Sequence, residues 1–269
     1  MSARKHTRTA SSLPDRDASI LEQCRARATL ARVLAECFAE PEPRRLAQLA
    51  QDDVGREAQA ACEIVGIDRA LVANLAECLP SLDELMSDRN RLFGHSVRST
   101  CPPYELEYGR SEVFQQSQSL ADIVGFYAAF GLSPTGPLAE RPDHVVAQLE
   151  FLSMAALRES SAIQSDRLDA AGVCRNAQRA FLRDHAATWM PAFFARVLRE
   201  SAGSFFDAAA TLGRALIAAW CAALDVPSGP EWLELREVVE EDSTITCGAP
   251  DAPQVELGPT LAAAMQDGD

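Results

Sequence analysis

Nowhere in this sequence is there a run of about 18 apolar residues, the length a membrane-spanning helix requires. The expectation is a soluble chain that does not insert into a bilayer. Its N-terminal MSARKHTRTASS is basic but lacks the apolar segment that follows the charged start of a secretory signal, so it reads as a loose tail. The eight cysteines (Cys24, Cys37, Cys62, Cys78, Cys101, Cys174, Cys221 and Cys247) include no CxxC pair. Structural zinc sites usually draw two ligands from one short turn, so no metal is expected, and reduced, mostly buried thiols fit a cytoplasmic protein. The GxSxG elbow, HExxH and the phosphate-binding GxxxxGK are also missing, which disfavours a hydrolase or a kinase. No cofactor is expected.

Apolar residues make up 47% of the 269, and Ala and Leu dominate over the β-branched and aromatic types. That balance favours helix over strand, and the fold class expected is all-α: a helical bundle with a Pro/Gly-containing hinge between two helical parts. The formal net charge of −14 gives a field that repels nucleic acid and attracts cationic partners. An α-helical transcription regulator would need a basic recognition helix, and none is visible.

Apolar residues recur every three or four positions from Asp17 to Ala39 and again over Arg44–Gln51, Gly55–Val65 and Asp68–Leu79, each predicting a helix. Ser81 with Glu84 three residues on has the form of a capping box, and Gly94 closes the helix it opens. HSVRSTCPPYELEYG, residues 95–109, has no helical period and reads as a long ordered loop or a crossover. A helix returns over Ser111–Phe130 and stops at Gly131. Leu132–Pro142, LSPTGPLAERP, is the candidate hinge. Pro142 and Asp143 suit the first turn of a helix running to about Glu159, followed by helices over Ile163–Trp189, Pro191–Glu200 and Ser204–Leu224. The division expected is a tail over 1–16, helical parts over 17–131 and 143–238 flanking the hinge at 132–142, and an acidic, weakly patterned tail over 239–269.

Two clusters stand out. Glu140, Arg141, Pro142, Asp143 and His144 put acids and a titratable ring at a helix N-terminus, where plain capping is the simplest account. Tyr104, Glu105, Glu107 and Tyr108 in CPPYELEYG mix aromatic surface with carboxylates, which suits a guest both apolar and cationic, although loop packing explains them equally well. His185, beside Trp189 and Phe193, reads as a hydrogen-bonded interface histidine.

Taken together, CPPYELEYG, FQQSQSLADIVGFYAAFGL, ERPDHVVAQLEFLSMAAL and FLRDHAATWMPAFFARV resemble the TorD/DmsD-type chaperones of bacterial molybdenum-dependent enzymes, over about Leu82 to Ala223. The CPPYE opening and GFYAAFGL look closest to the branch serving type II enzymes of the dimethyl sulfoxide reductase family. The resemblance implies an all-helical cytoplasmic chaperone, not an enzyme, that holds an apo-molybdoenzyme catalytic subunit, and often its twin-arginine signal peptide, until cofactor insertion. It carries over Asp143 and His144 as the peptide-binding signature, with Glu140 and Pro142 alongside. Asp143 would pair with a guest arginine, while Tyr104, Tyr108, Phe126 and Tyr127 would line the apolar part of the groove. The alternative from another class is a small-molecule enzyme using Asp143 and His144 as an acid-base pair.

Overall fold

The computed structural model describes residues 15–94, 99–109, 113–132 and 141–236. The N-terminal tail, most of the expected hinge, Glu140 and the acidic C-terminal tail lie outside them. Ten α-helices occur among the described residues: α1 (Asp15–Phe38), α2 (Pro43–Leu49), α3 (Asp52–Val65), α4 (Ala70–Glu77), α5 (Leu82–Phe93), α6 (Val113–Ala129), α7 (Val145–Gln164), α8 (Leu168–Phe181), α9 (Ala187–Glu200) and α10 (Phe205–Leu224). The chain is all-α.

Local chemistry sets the boundaries. The Ser81 hydroxyl accepts from the Glu84 amide while the Glu84 carboxylate accepts from the Ser81 amide, which completes the expected capping box. Gly131, at φ +66, ends α6, and the Leu132 amide donates back to the Tyr127 carbonyl across the turn. α7 departs from expectation at both ends. It begins at Val145, with His144 as its N-cap, so Pro142 and Asp143 lie before the helix. It then runs past Glu159 to Gln164, and the chain turns at Asp166 (φ +55) before α8 starts. Two buried polar residues, Glu159 and Ser160, interrupt the apolar pattern and had hidden how far the buried stripe continues through Ala162 and Ile163.

α1 lies across the molecule and packs on α7, α3 and α10. Ser153 of α7 donates to the Ala28 carbonyl (2.9 Å), and Arg25 of α1 donates to Ser160 (3.1 Å), so helices from either side of 132–142 share one core. Aromatics fill that core in two groups: Phe38, Phe93, Phe193, Phe194 and Phe206, and around Phe151 the rings of Phe126, Tyr127, Phe130 and Phe181. α10 is long and apolar enough by length and composition to cross a bilayer, which a search for unbroken apolar runs overlooks. Here its apolar side fills the core, and Gly213 meets α9 so closely that a β-carbon would lie 2.6 Å from the Phe194 ring.

α8 and α9 form one helical column joined by a π turn over Leu182–Ala186. One extra residue in a helix rotates the next stretch by about 100°. Four residues into α9, Pro191 lacks the N–H that would bond Ala187, and the Gly229 amide bonds that carbonyl instead at 2.9 Å. Only glycine fits there, because a β-carbon on residue 229 would sit 2.4 Å from the same oxygen. The segment after α10 is thereby pinned to α9.

Candidate functional site

The site grows from the 101–109 loop. Its backbone is held on two sides. Glu105 N–H donates to the Asp143 carbonyl (3.0 Å) and Val145 N–H to the Pro103 carbonyl (2.9 Å) on one; Gly109 N–H donates to the Glu234 carbonyl (2.8 Å) and Arg236 N–H to the Glu107 carbonyl (3.0 Å) on the other. The loop is the middle of a three-stranded ribbon in miniature, with single bridges Tyr104–His144 and Tyr108–Leu235. Two adjacent prolines in CPPYELEYG disfavour an α-helix here; the backbone makes one 3-10 turn over Glu105–Glu107 between extended Tyr104 and Tyr108 and finds its other partners in irregular segments.

Asp143 is fully buried and its carboxylate is saturated. Oδ1 accepts from Arg141 Nε (3.0 Å), and Oδ2 accepts from Arg141 Nη2 (2.9 Å) and the Leu106 amide (3.2 Å). Arg141 also reaches Glu107 at 3.4 Å and lies over the Tyr104 ring, 4.4 Å from its centroid. The arginine that Asp143 was expected to catch from a guest is therefore supplied by the chain itself, two residues away. His144, also buried, accepts the Val146 amide at Nδ1 (3.2 Å) and meets Tyr104 edge to face. Burial, reinforced by the charges of Arg89 and Arg141, pushes its pKa down to about 3, so the ring is neutral at pH 7 with its proton on Nε2.

Other expected residues also face inward. Tyr108 is buried against Trp189 and Phe193, and Tyr127 is buried beside Phe151, its hydroxyl donating to the Pro142 carbonyl at 2.7 Å. Glu105 and Glu107 are buried as well, so the carboxylate and aromatic surface expected of CPPYELEYG is largely interior. The side chains were expected outside because charged residues usually are; here partners on α7, on the π turn and at Arg141 meet them. Tyr104 and Phe126 are half-buried.

Beneath the loop runs a chain of polar groups. Trp189 Nε1 donates to Gln148 Oε1 (3.0 Å), Gln148 Nε2 donates to Glu105 Oε2 (2.5 Å), and Glu105 Oε1 meets His185 Nδ1 at 3.0 Å. The other ring nitrogen of His185 meets Asp122 Oδ2 of α6, also at 3.0 Å. Burial opposes charge on His185, but the hydrogen bonds and charges of Glu105 and Asp122 outweigh it and raise the pKa. In the protonated ring both nitrogens donate, and it is then an imidazolium between two carboxylates.

The match to known proteins covers this region. The family model described as "Nitrate reductase delta subunit" matches residues 62–195, which include the loop, α6, α7 and the π turn. Over 136 residues the chain is 32% identical to the "Chaperone protein TorD" of Vibrio cholerae serotype O1 (strain ATCC 39315 / El Tor Inaba N16961), covering 50% of this chain and 59% of that protein. Over this middle stretch the chain is similar to the TorD-like chaperones. Two further relatives carry names from a narrower branch. The "Chlorate reductase assembly chaperone protein" of Ideonella dechloratans is 35% identical over 91 residues (34% of this chain, 43% of that one). The "Selenate reductase assembly chaperone protein" of Thauera selenatis is 37% identical over 78 (29% and 39%). This chain thus spans 59% or less of each of these three relatives.

In this TorD-like chain sequence reading named Arg141 only as a member of the 140–144 cluster and passed over Asp122 and Gln148. Arg141 carried a signal in its spacing, since a guanidinium two residues from a buried acid and beside a proline reaches back easily. Asp122 was a lone acid beside the apolar stripe of a helix. Gln148 had no signal beyond being a polar residue within a buried face.

Proposed function

We propose that this chain is a maturation chaperone, without turnover of its own, that binds the apo catalytic subunit of a molybdenum-dependent oxidoreductase in the cytoplasm. It would hold that subunit, with its twin-arginine signal peptide, until the cofactor is inserted. The observation that carries the proposal is the family match over residues 62–195, with relatives named as a chaperone and as reductase assembly chaperones. The chemistry is compatible. A twin-arginine signal presents two guanidinium groups followed by an apolar helix, and the chain offers a net charge of −14 together with half-buried aromatic rings beside carboxylates.

In this proposal Asp143 and His144 act on the guest through the loop they hold. Tyr104 and Phe126 provide aromatic contact, Tyr108 and Tyr127 back them from the core, and the Pro142 carbonyl fixes Tyr127. Glu140 lies outside the described residues. The acid-base enzyme alternative lacks support in the geometry. The Asp143 carboxylate is fully engaged by Arg141 and the Leu106 amide, and a His144 titrating near pH 3 takes up no proton at neutrality.

The test is an affinity pull-down of the tagged full chain from its native cells under molybdenum limitation, with mass spectrometry of the polypeptides that co-purify. The expected result is one apo-molybdoenzyme catalytic subunit, recovered by wild type and depleted with Asp143→Ala/His144→Ala. Because both residues are buried, Tyr104→Ala serves as a second variant that spares the fold. Recovery of no polypeptide while the client is expressed would overturn the proposal.

A further inference from the structure

Packing and polar contacts together hold α6 to the molecule, one of the latter being the Tyr127 hydroxyl on the Pro142 carbonyl. Ile123, Phe126, Tyr127 and Phe130 pack inward, Phe126 and Tyr127 reaching Phe151 and Phe181. At its polar edge, Asp122 reaches His185 on the π turn. Asp122 is itself 61% exposed, whereas the other carboxylate on the ring, Glu105, is 10% exposed and backed by Gln148. The outward side of the same helix, with Ala121, Val124, Gly125 and Ala128, is exposed and apolar.

The geometry points to a proton-controlled clasp: the His185 imidazolium holds α6 in place through Asp122, and a guest guanidinium that takes Asp122 for itself releases it. The second clause rests on the proposed chaperone role; the first does not.

The proton decides because the ring faces carboxylates on both sides. An imidazolium donates to each. A neutral ring has one N–H, so its other nitrogen presents a lone pair to a carboxylate lone pair, and one of the two hydrogen bonds must break. Glu105 has little water to turn to, since stripping a buried acid of its partner is costly, whereas exposed Asp122 rehydrates readily. The bond that breaks is therefore the one to α6. The other groups facing the ring do not alter this choice: Asp184 on the π turn is engaged by Arg183, while Phe126 of α6 and Phe181 of α8 contribute ring faces. Gln148 of α7 is neutral and already bonded to Glu105.

A guest arginine competes for the same oxygen. With Asp122 drawn to a guanidinium, His185 keeps one carboxylate and holds its proton less tightly. Binding therefore releases protons, and by linkage guest affinity rises as pH increases through the His185 titration. His185 is in this sense a positioning residue for α6. The guest's apolar segment would dock next onto the exposed side of the helix.

Hydrogen exchange of the α6 amides in the full chain, without any guest, tests the clasp. After correction for intrinsic base catalysis, protection over residues 116–130 is expected to fall at least threefold between pH 6 and 9. The step should vanish in Asp122→Asn and His185→Gln and return in Asp122→Glu. A flat wild-type profile overturns the clasp. The guest half is tested by calorimetry with a synthetic peptide carrying two adjacent arginines before an alanine- and leucine-rich segment, in buffers of different ionisation enthalpy. Proton release and three- to tenfold tighter binding at pH 8 than at pH 6 are expected, and Asp122→Asn should abolish the proton release. Binding without proton release overturns the guest half alone. No binding at all, with the exchange step intact, overturns the guest half and counts against the signal peptide as part of the client, leaving the clasp standing.

Discussion

The molecule uses the same three-residue chain twice, and the two copies end differently. Under the loop, Trp189 donates to Gln148, Gln148 to Glu105, and Glu105 meets His185. Between α7, α8 and α10, Trp220 donates to Gln178 (3.2 Å), Gln178 to Glu159 (2.7 Å), and Glu159 meets Arg175 at 3.4 Å. In both, an indole N–H too deep for water is satisfied by an amide, and the amide's own N–H is satisfied by a buried acid. The second chain closes on a guanidinium, which keeps its charge at any pH a cell meets. It lies among fixed parts: Cys24, whose thiol is pushed up to about 12 by burial and by Glu159, and Arg27, whose guanidinium lies 5.8 Å from the Trp220 ring centroid. The first chain closes on a ring that titrates and extends to an exposed acid on another helix. One network is a permanent brace and the other is a brace with a release.

Breaking the middle of either chain should produce the largest effects. Gln178→Leu leaves the Trp220 N–H and a buried Glu159 oxygen without partners, and is expected to cost about 3–4 kcal/mol in urea unfolding, equally at pH 6 and pH 8. Gln148→Leu should cost a similar amount at pH 6. There the comparison sharpens, because Glu105 retains the imidazolium only while His185 is charged, so the cost is expected to change with pH. A pH-independent Gln148→Leu would mean that the two chains are equivalent.

Among the described residues, the two buried histidines should bend the stability profile in opposite directions. His144 folds with its pKa depressed to about 3, below the ordinary 6.5, so the unfolded chain takes up a proton that the folded chain refuses. Its contribution is complete above pH 6.5 and is lost as pH falls toward 3, on the order of 4 kcal/mol over that span. His144→Asn, which keeps an N-capping side chain, should flatten the acid limb. His185 folds with its pKa raised, so its contribution is complete below the unfolded value and fades as pH rises through the folded one. His185→Gln should therefore cost about 2 kcal/mol at pH 6 and markedly less at pH 9. Equal losses at both values would mean that the ring is not charged in the fold.

Legibility in the sequence tracks the physics of each element. The helices were visible because burial on one face imposes a period, and the Ser81–Glu84 box and Gly131 were visible because caps need particular side chains. The start of α7 was misplaced by reading Pro142 as a first-turn residue; a histidine N-cap is uncommon, and the residues before Val145 take partners from the 101–109 loop and from Tyr127, both distant in sequence. Asp143 and His144 stood out through the resemblance and not through their own setting, and their burial was not legible, because the Arg141 clamp depends on how three segments converge. The π turn was invisible, since its hydrophobic pattern matches a helix with one residue too many, and with it went the position of His185.

The smallest predicted effect distinguishes the two chain ends most directly. Arg175→Gln removes the closing charge from the permanent brace. Arg175 is 42% exposed, so water screens its pairing with Glu159, and its second nitrogen donates to the Ala223 carbonyl, a bond glutamine is too short to keep. A loss of about 0.5–1 kcal/mol is expected in urea unfolding. Because a guanidinium does not titrate, that loss should be the same at pH 6 and pH 9, while the His185→Gln loss should shrink between them. If Arg175→Gln instead tracked pH as His185→Gln does, the pH dependence would belong to the buried acids common to both chains, and His185 would lose its claim to be the release.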